Sequence, residues 1–301
     1  MSLHVAITGA SGFVGQAVAA SLKADGHRVL SLVRQPTPGD TATWDPATGA
    51  VDRDALEGLD AVIHLAGEDI SRGRWTAAKK HRIRQSRVAG TSLLAGALAG
   101  LTHKPAVLVS TSAVGIYGDR GDEILTETSP TGVGFLADVG TAWEAATTLA
   151  AEAGIRVVRL RLGIVLDPAG GALERMLLPF RLGVGGPLGS GKQWVSWLTR
   201  DELVRIIRFA IDTPTLEGPV NAVSPSPVTF AELASTLGQV LRRPALLPVP
   251  PFALRLLFGE MADEMLLASQ RCLPEALAAA GYQFQSPELV GALRAQLAPG
   301  R

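Results

Sequence analysis

The sequence predicts an α/β fold, a doubly wound parallel sheet followed by a smaller C-terminal lobe. Three observations predict it. The chain has 301 residues, 47% of them hydrophobic, enough for a sizeable core in one large domain or two intimate ones. Up to about residue 166, short β-branched apolar runs alternate with helical periodicities, the pattern of right-handed crossovers in a parallel sheet. The first of these units carries a run of glycines between its strand and its helix.

Residues 3–7 are a short apolar run with Val5 and Ile7, read as a buried strand. Thr8, Gly9, Ala10, Ser11, Gly12, Phe13, Val14 and Gly15 follow at once. Val14, Val18 and Leu22 then recur every four residues, one face of a helix that Gly26 can stop. A turn of this build lets backbone N–H groups approach a pyrophosphate, whose charge the helix N-terminus stabilises. Its spacing is Gly-x-x-Gly-x-x-Gly rather than Gly-x-Gly-x-x-Gly, so its weight comes from its place between a first strand and a helix.

The second strand, residues 28–33, ends at Arg34, nineteen residues after Gly15. An acidic residue there bonds the 2′-hydroxyl of NAD, whereas an arginine suits the 2′-phosphate of NADP. Arg34 therefore predicts NADP(H) over NAD(H), against the alternative of an ordinary surface charge. Residues 35–58 are rich in turn formers, with a short strand at 42–44; Trp44 and Asp45 either flank the adenine or pack. The next strand, residues 61–67, ends in Leu65, Ala66 and Gly67. Small residues at a strand's carboxyl end let a cofactor lie close to the backbone. Glu68 and Asp69 follow, as a base beside a nicotinamide or as caps of the next helix; His64 reads as a core histidine.

Residues 75–99 are helical, and the first half is basic, with Lys79, Lys80, His81, Arg82, Arg84 and Arg87. This is either a solvated face or an attraction for an anionic ligand. The strand at 106–109 runs into Ser110, Thr111 and Ser112 and on to Tyr117, placing hydroxyls on the same sheet edge as the glycine turn. A helix over 136–153, closed by Gly154, and a strand over 155–162 complete this part, followed by Gly163 and Ile164.

After Asp167 the pattern changes. Residues 168–192 read as loops with one short helix near 173–180, then come a helix at 201–212 and a strand-like run at 220–223. Thr229 and Glu232 spell a capping box for a helix through Leu241. Residues 244–251 form a proline-punctuated connector, and helical stretches follow at 251–273, 274–280 and 287–297. The division expected is a dinucleotide-binding domain over 1–166, to which the strand near 219–223 returns, and a mostly substrate-side lobe over 167–301.

Lys plus Arg and Asp plus Glu are 28 each, which argues against a nucleic-acid binder or a polybasic membrane anchor. One cysteine, Cys272, allows no intrachain disulfide and fits a reducing compartment. No apolar run reaches the length of a membrane span, and no basic leader precedes the first strand. The expectation is a cytoplasmic protein with a small-molecule substrate and no membrane or nucleic-acid partner; self-association is left open. No Cys/His cluster has metal-ligand spacing, and no Gly-x-Ser-x-Gly elbow marks a hydrolase. The run from Gly186 to Lys192 fits a phosphate loop, but Gln193 replaces the Ser or Thr that holds Mg²⁺ and no strand precedes it. It reads instead as a mobile loop over the substrate, with Lys192 or Gln193 touching it.

These residues resemble the extended short-chain dehydrogenase/reductases, the NAD-dependent epimerase/dehydratase superfamily, whose fold is a Rossmann-type sheet. The segment from Thr8 to Gly15 looks like its cofactor turn and His64, Leu65, Ala66 and Gly67 like its fourth-strand signature. Ser112, Tyr117 and Gly118 look like its Ser-x-x-x-Tyr-Gly segment with one extra residue. The resemblance places Arg161, Gly163, Ile164 and Val165 where the superfamily lines the nicotinamide. An atypical epimerase-like subgroup is closer still. It shares Ala66 to Ile70, Gly73 to Trp75, Arg84 to Arg87, Trp143 and Glu144, Gly189 to Trp197, and the tail from Pro248 to Pro274.

One departure stands out. Counting back from Glu144, the superfamily's catalytic Lys falls on Gly140 and its Tyr on Leu136, and neither can move a proton. The resemblance implies an NADP-dependent oxidoreductase or epimerase acting on an unknown small molecule, with Ser112 and Tyr117 as catalytic candidates and packing as the other role open to Tyr117. The alternative is a non-catalytic NADP(H)-binding sensor or interaction protein that lost the Tyr–Lys pair.

Overall fold

The structure, a computed structural model, describes residues 2–298. Its first half runs β1 (His4–Thr8), α1 (Phe13–Ala24), β2 (Arg28–Val33), β3 (Thr41–Asp45), β4 (Ala50–Val51), β5 (Ala61–His64), α2 (Ala77–Ala99), β6 (Val107–Ala113) and β7 (Ile124–Leu125). Then come α3 (Phe135–Ala145), α4 (Thr148–Glu152), β8 (Arg156–Leu162), β9 (Ile164–Asp167), α5 (Gly171–Arg181), β10 (Trp194–Val195), β11 (Trp197–Thr199), α6 (Arg200–Asp212) and β12 (Gly218–Ala222). The chain ends with β13 (Val228–Thr229), α7 (Phe230–Leu241), α8 (Pro251–Phe258), β14 (Arg271–Cys272), α9 (Glu275–Ala279) and α10 (Leu289–Gln296).

The main sheet has eight strands in the order β12-β8-β6-β5-β1-β2-β3-β4. Its pairings are parallel except that of β3 with β4. Since β1 lies between β2 and β5, the crossovers diverge there and leave a crevice outside the carboxyl ends, where ligands of such sheets bind. The register sets Thr8 beside His64, His64 beside Ser110, and Ala113 beside Leu162. The ends of β1, β5, β6 and β8 therefore share one edge. β12 returns to pair with β8 from Gly218 opposite Val158 to Ala222 opposite Leu162.

The middle of β1 is fully buried, as a strand covered on both faces must be. One face is packed by Val18, Leu22, Leu203, Ile206 and Ile207 of α1 and α6, the other by Leu94 and Leu98 of α2 and Ala150 of α4. A second core lies beyond β9, in which Leu173, Leu177 and Phe180 of α5 meet Trp197, Leu233, Leu237 and Leu293. No helix among the described residues is long and apolar enough to cross a membrane.

Two helices differ from the periodicity. The one expected over 136–153 is two, because Thr147 and Thr148 hydroxyls donate to the carbonyls of Glu144 and Ala145 (both 2.7 Å) and interrupt the ladder. The one expected over 251–273 breaks at Gly259 and resumes as a short helical stretch over 260–266. Gly259 takes φ +63°, and Arg271–Cys272 instead pairs as a strand with Ile124–Leu125. The Thr229 capping box is present: Glu232 N donates to Thr229 Oγ1 (3.2 Å) and Thr229 N to Glu232 Oε2 (2.7 Å).

Candidate functional site

The glycine turn is held by close backbone approach. Gly9 has φ +68°, and a Cβ there would come within 3.0 Å of Ala66 N; a Cβ on Gly15 would sit 2.1 Å from Gly9 O. Thr8 Oγ1 ties the ends of β1 and β5 together, accepting from Leu65 N (3.1 Å) and Ala66 N (3.2 Å) and lying 2.7 Å from His64 Nδ1. His64 is buried, with Thr91 Oγ1 at 2.9 Å on its other nitrogen, and burial pushes its pKa down to about 4. Ser11 and Gly12 are exposed, and α1 starts at Gly12 with no side-chain cap and no acidic residue in its first turn. Its N-terminal N–H groups and dipole are thus left for an anion, and these residues fit the phosphate-binding turn expected of them. Ala10, Phe13 and Val14 are half-buried around it. Arg34, at the end of β2, is exposed and has neither hydrogen bond nor ion pair among the described residues.

Beyond β5, Leu65 and Ala66 are half-buried and Gly67 is exposed. Glu68 follows, but it is not a free base. Lys79 Nζ donates to its Oε1 at 2.7 Å, and that bond holds the carboxyl below the usual range, with help from Arg82. Trp44 is buried against Gly90 and the edge of His64, the packing role rather than an adenine contact.

At the β6–β8 end the structure brings Ser112, Tyr117 and Arg161 together, but inside the protein. Ser112 Oγ donates to Glu144 Oε1 (2.8 Å). Arg161 grips the same carboxylate in a fork, Nε to Oε1 at 2.8 Å and Nη2 to Oε2 at 2.9 Å. Its Nη1 donates to Tyr117 OH (2.8 Å), whose single proton has Asn221 Oδ1 (2.8 Å) and Thr126 O (2.9 Å) as acceptors. Ser112, Tyr117, Glu144, Arg161 and Asn221 are all buried. Burial opposes the charge on Arg161, but the Glu144 bonds outweigh it and hold its pKa above the ordinary value. Burial likewise pushes Tyr117 up to about 12 against the pull of Arg161. Ser112 and Tyr117 thus lie enclosed rather than on an open edge. Glu144, a signature residue without an assigned role in the sequence, is the centre of this network. The signal that could have found it is an acidic residue among the buried positions of a mostly apolar helix.

The Tyr and Lys addresses are filled by packing. A Cβ on Gly140 would lie 3.0 Å from Ile116 Cβ, and Leu136 packs against Gly115. Gly163 is pressed against the lobe, where a Cβ would meet Ser196 O at 2.5 Å; Ile164 beside it is half-buried. The loop through Gln193 is tied rather than loose. Gln193 Nε2 donates to the carbonyls of Leu188 and Leu266 at 3.1 Å, while Lys192 stays exposed.

Comparison with known proteins agrees with this architecture. Residues 5–222 match the NAD dependent epimerase/dehydratase family, and residues 249–296 match a domain of unknown function, DUF1731. The chain is 45% identical over 281 residues to the epimerase family protein Mb2239 of Mycobacterium bovis, covering 93% of each. It is similar to a crystal structure of the human epimerase family protein SDR39U1 (isoform 2) with NADPH, with TM-score 0.91 and 37% identity over 97% of this chain and 98% of the other. A structure of the nucleoside-diphosphate sugar epimerase from Corynebacterium glutamicum gives TM-score 0.82 and 38% identity, over 99% of this chain and 58% of the other. From the glycine turn to the last strand of the sheet, this chain belongs to the NAD dependent epimerase/dehydratase family, as an atypical, epimerase-like member of the extended short-chain dehydrogenase/reductases.

Proposed function

We propose that this protein binds NADP(H) at the glycine turn and uses it to oxidise, reduce or epimerise a small molecule held between the sheet edge and the C-terminal lobe. The observation that carries the reading is the uncapped start of α1 behind Gly9, Gly12 and Gly15, with the unpaired Arg34 at the end of the adjoining strand. The NADPH in the human SDR39U1 structure supports the phosphorylated form of the cofactor. A nicotinamide, when bound, supplies or accepts hydride. The chain does the rest. The turn's N–H groups take the pyrophosphate, Arg34 the 2′-phosphate, and Leu65, Ala66, Gly67, Gly163 and Ile164 line the way along the edge. Ser112 Oγ–H donates its hydrogen bond to the buried Glu144 carboxylate, so it holds that carboxylate in place and has no hydrogen bond left to give a substrate. Tyr117 is committed inward in the same way. The proton for the reacting oxygen therefore comes from water or from the lobe.

The test is titration with NADPH and NADH, followed by a screen for oxidation of bound NADPH by a carbonyl library. NADPH should bind more tightly by about 10- to 150-fold, the worth of a charge-assisted contact of roughly 1.5–3 kcal/mol, and Arg34→Asp should erase that preference. Equal affinities in the unmutated protein would show Arg34 facing solvent. The second reading, a non-catalytic NADP(H) sensor, is favoured by the filled Tyr and Lys addresses at Leu136 and Gly140. It replaces the first if NADPH binds tightly and shifts the lobe while every carbonyl fails.

A further inference from the structure

Five basic side chains gather around Glu68 and Asp69, and four are paired. Arg72 and Arg175 meet Asp69, and Lys79 and Arg82 meet Glu68. The fifth, Arg87, is not. Its hydrogen bonds run from Nη1 alone, to the carbonyls of Glu68 (3.1 Å) and Ile83 (3.4 Å). Its Nε and Nη2 carry no bond, and no carboxylate lies within ion-pair distance among the described residues. Burial lowers its pKa to about 10, and the attraction of Glu68 and Asp69 does not restore it.

Its position is specific. The guanidinium carbon lies 3.4 Å, and Nη2 3.5 Å, from where a Cβ on the exposed Gly67 would be. The group stacks on Trp143, 4.9 Å from the ring centroid, and the buried Trp143 Nε1 has no partner among the described residues. Trp143 lies one helical turn beyond Gly140, the address of the family's lysine, where a Cβ would press on Ile116 at 3.0 Å. A cation thus reaches this corner of the sheet edge from α2 instead of from α3.

We infer that Arg87 is an anion-binding residue, whose Nε–Nη2 edge takes a carboxylate or phosphate brought over Gly67 by the dinucleotide or by the substrate. A planar guanidinium already stacked on an aromatic ring loses little freedom on gripping two oxygens at once, and a fork of two charge-assisted bonds selects such groups over neutral ones. The inference deepens the cofactor reading and rests on it only for the origin of the anion.

The experiment is calorimetric titration of the full chain with inorganic phosphate, malonate and NADPH, in the unmutated protein, Arg87→Lys and Arg87→Met. Met keeps the packing against Trp143 without charge; Lys keeps the charge without the fork. In the cofactor-free protein, Arg87→Met should weaken phosphate or malonate by about tenfold or more, the worth of one charge-assisted bond, and Arg87→Lys by less. If the anion belongs to the dinucleotide, NADPH affinity falls by a similar factor in Arg87→Met and bound NADPH displaces phosphate. If it belongs to the substrate, NADPH affinity is unchanged and the loaded protein still binds phosphate through Arg87. An Arg87→Met protein that binds all three ligands like the unmutated one overturns the proposal. So does an unmutated protein that binds neither small anion and whose NADPH affinity ignores Arg87→Met. Should Arg87→Met fail to fold, folded Arg87→Lys decides, weakened anion binding supporting the proposal and unchanged binding overturning it. Phosphate bound through Arg87 by a protein that binds no NADPH would sink the cofactor reading and leave this one standing.

Discussion

The two ends of one sheet edge are built on opposite principles. At the β1 end, donors are left over. The start of α1 has no side-chain cap, Arg34 has no partner among the described residues, and two glycines bring backbone to backbone. At the β6–β8 end the side chains that look chemical are committed to one another. Ser112, Glu144, Arg161, Tyr117 and Asn221 bond to one another inside the protein. The difference teaches that the side chains most suggestive of chemistry are here committed to holding β6, β8, β12 and α3 together. The donors left over at the β1 end are the main-chain N–H groups of the turn and the exposed Arg34.

That contrast can be broken from either side. The largest effect falls on binding. Gly12 has φ −78° and ψ 173°, open to any residue, and a Cβ there would meet only Gly9 O, at 3.2 Å. Gly12→Val should therefore fold yet bring NADPH binding below detection; a folded variant with undiminished binding would move the cofactor elsewhere. Next is Glu144→Ala, which strands the buried Arg161 and should lower stability by about 3–5 kcal/mol in urea unfolding. Glu144→Leu combined with Arg161→Met should lose much less. A negligible loss in the single variant would mean that this end is as open as the other.

Third is an acid effect at the β1–β5 seam. His64 titrates at about 4 in the folded protein and at about 6.5 unfolded. Its contribution is fully present above the unfolded value and is lost as pH falls through the folded one, about 3 kcal/mol in all. Urea midpoints at neutral pH and near pH 4 should differ by that much more in the unmutated protein than in His64→Gln. The smallest effect is that of Tyr117→Phe, about 1–3 kcal/mol from leaving buried partners unsatisfied, with NADPH affinity unchanged. A large drop in turnover of a validated substrate at unchanged stability would instead restore Tyr117 as an acid.

The strand, glycine turn and helix at the β1 end were legible because their signals are local. A strand, a glycine turn and an i, i+4 helical face sit within the first two dozen residues, and Arg34 follows at a fixed distance. The Thr229–Glu232 box was legible for the same reason. The committed network was not, because its partners are distant in sequence: Ser112 finds Glu144 32 residues on, and Tyr117 finds Asn221 104 residues on. Nothing in the run up to Tyr117 tells whether its hydroxyl meets solvent or Arg161. The end of the helix expected over 251–273 was hidden likewise. Its periodicity continues past Gly259, but pairing of Arg271–Cys272 with the remote Ile124–Leu125 draws the chain away.

The return of β12 to the edge of β8 bears on how the molecule is made. A chain emerging from the ribosome displays β1 through β8, with the glycine turn complete, before Gly218 to Ala222 exist to cover the last strand. Until then β8 offers an open row of N–H and C=O groups, the kind of edge that templates association. Pairing must wait for the first part of the lobe to be synthesised and threaded back, a long-range closure of the sort that slows folding. The eight-stranded sheet therefore cannot be completed before residues 218–222 are made, and cutting the chain at the end of β9 would release a sheet with its flank uncovered.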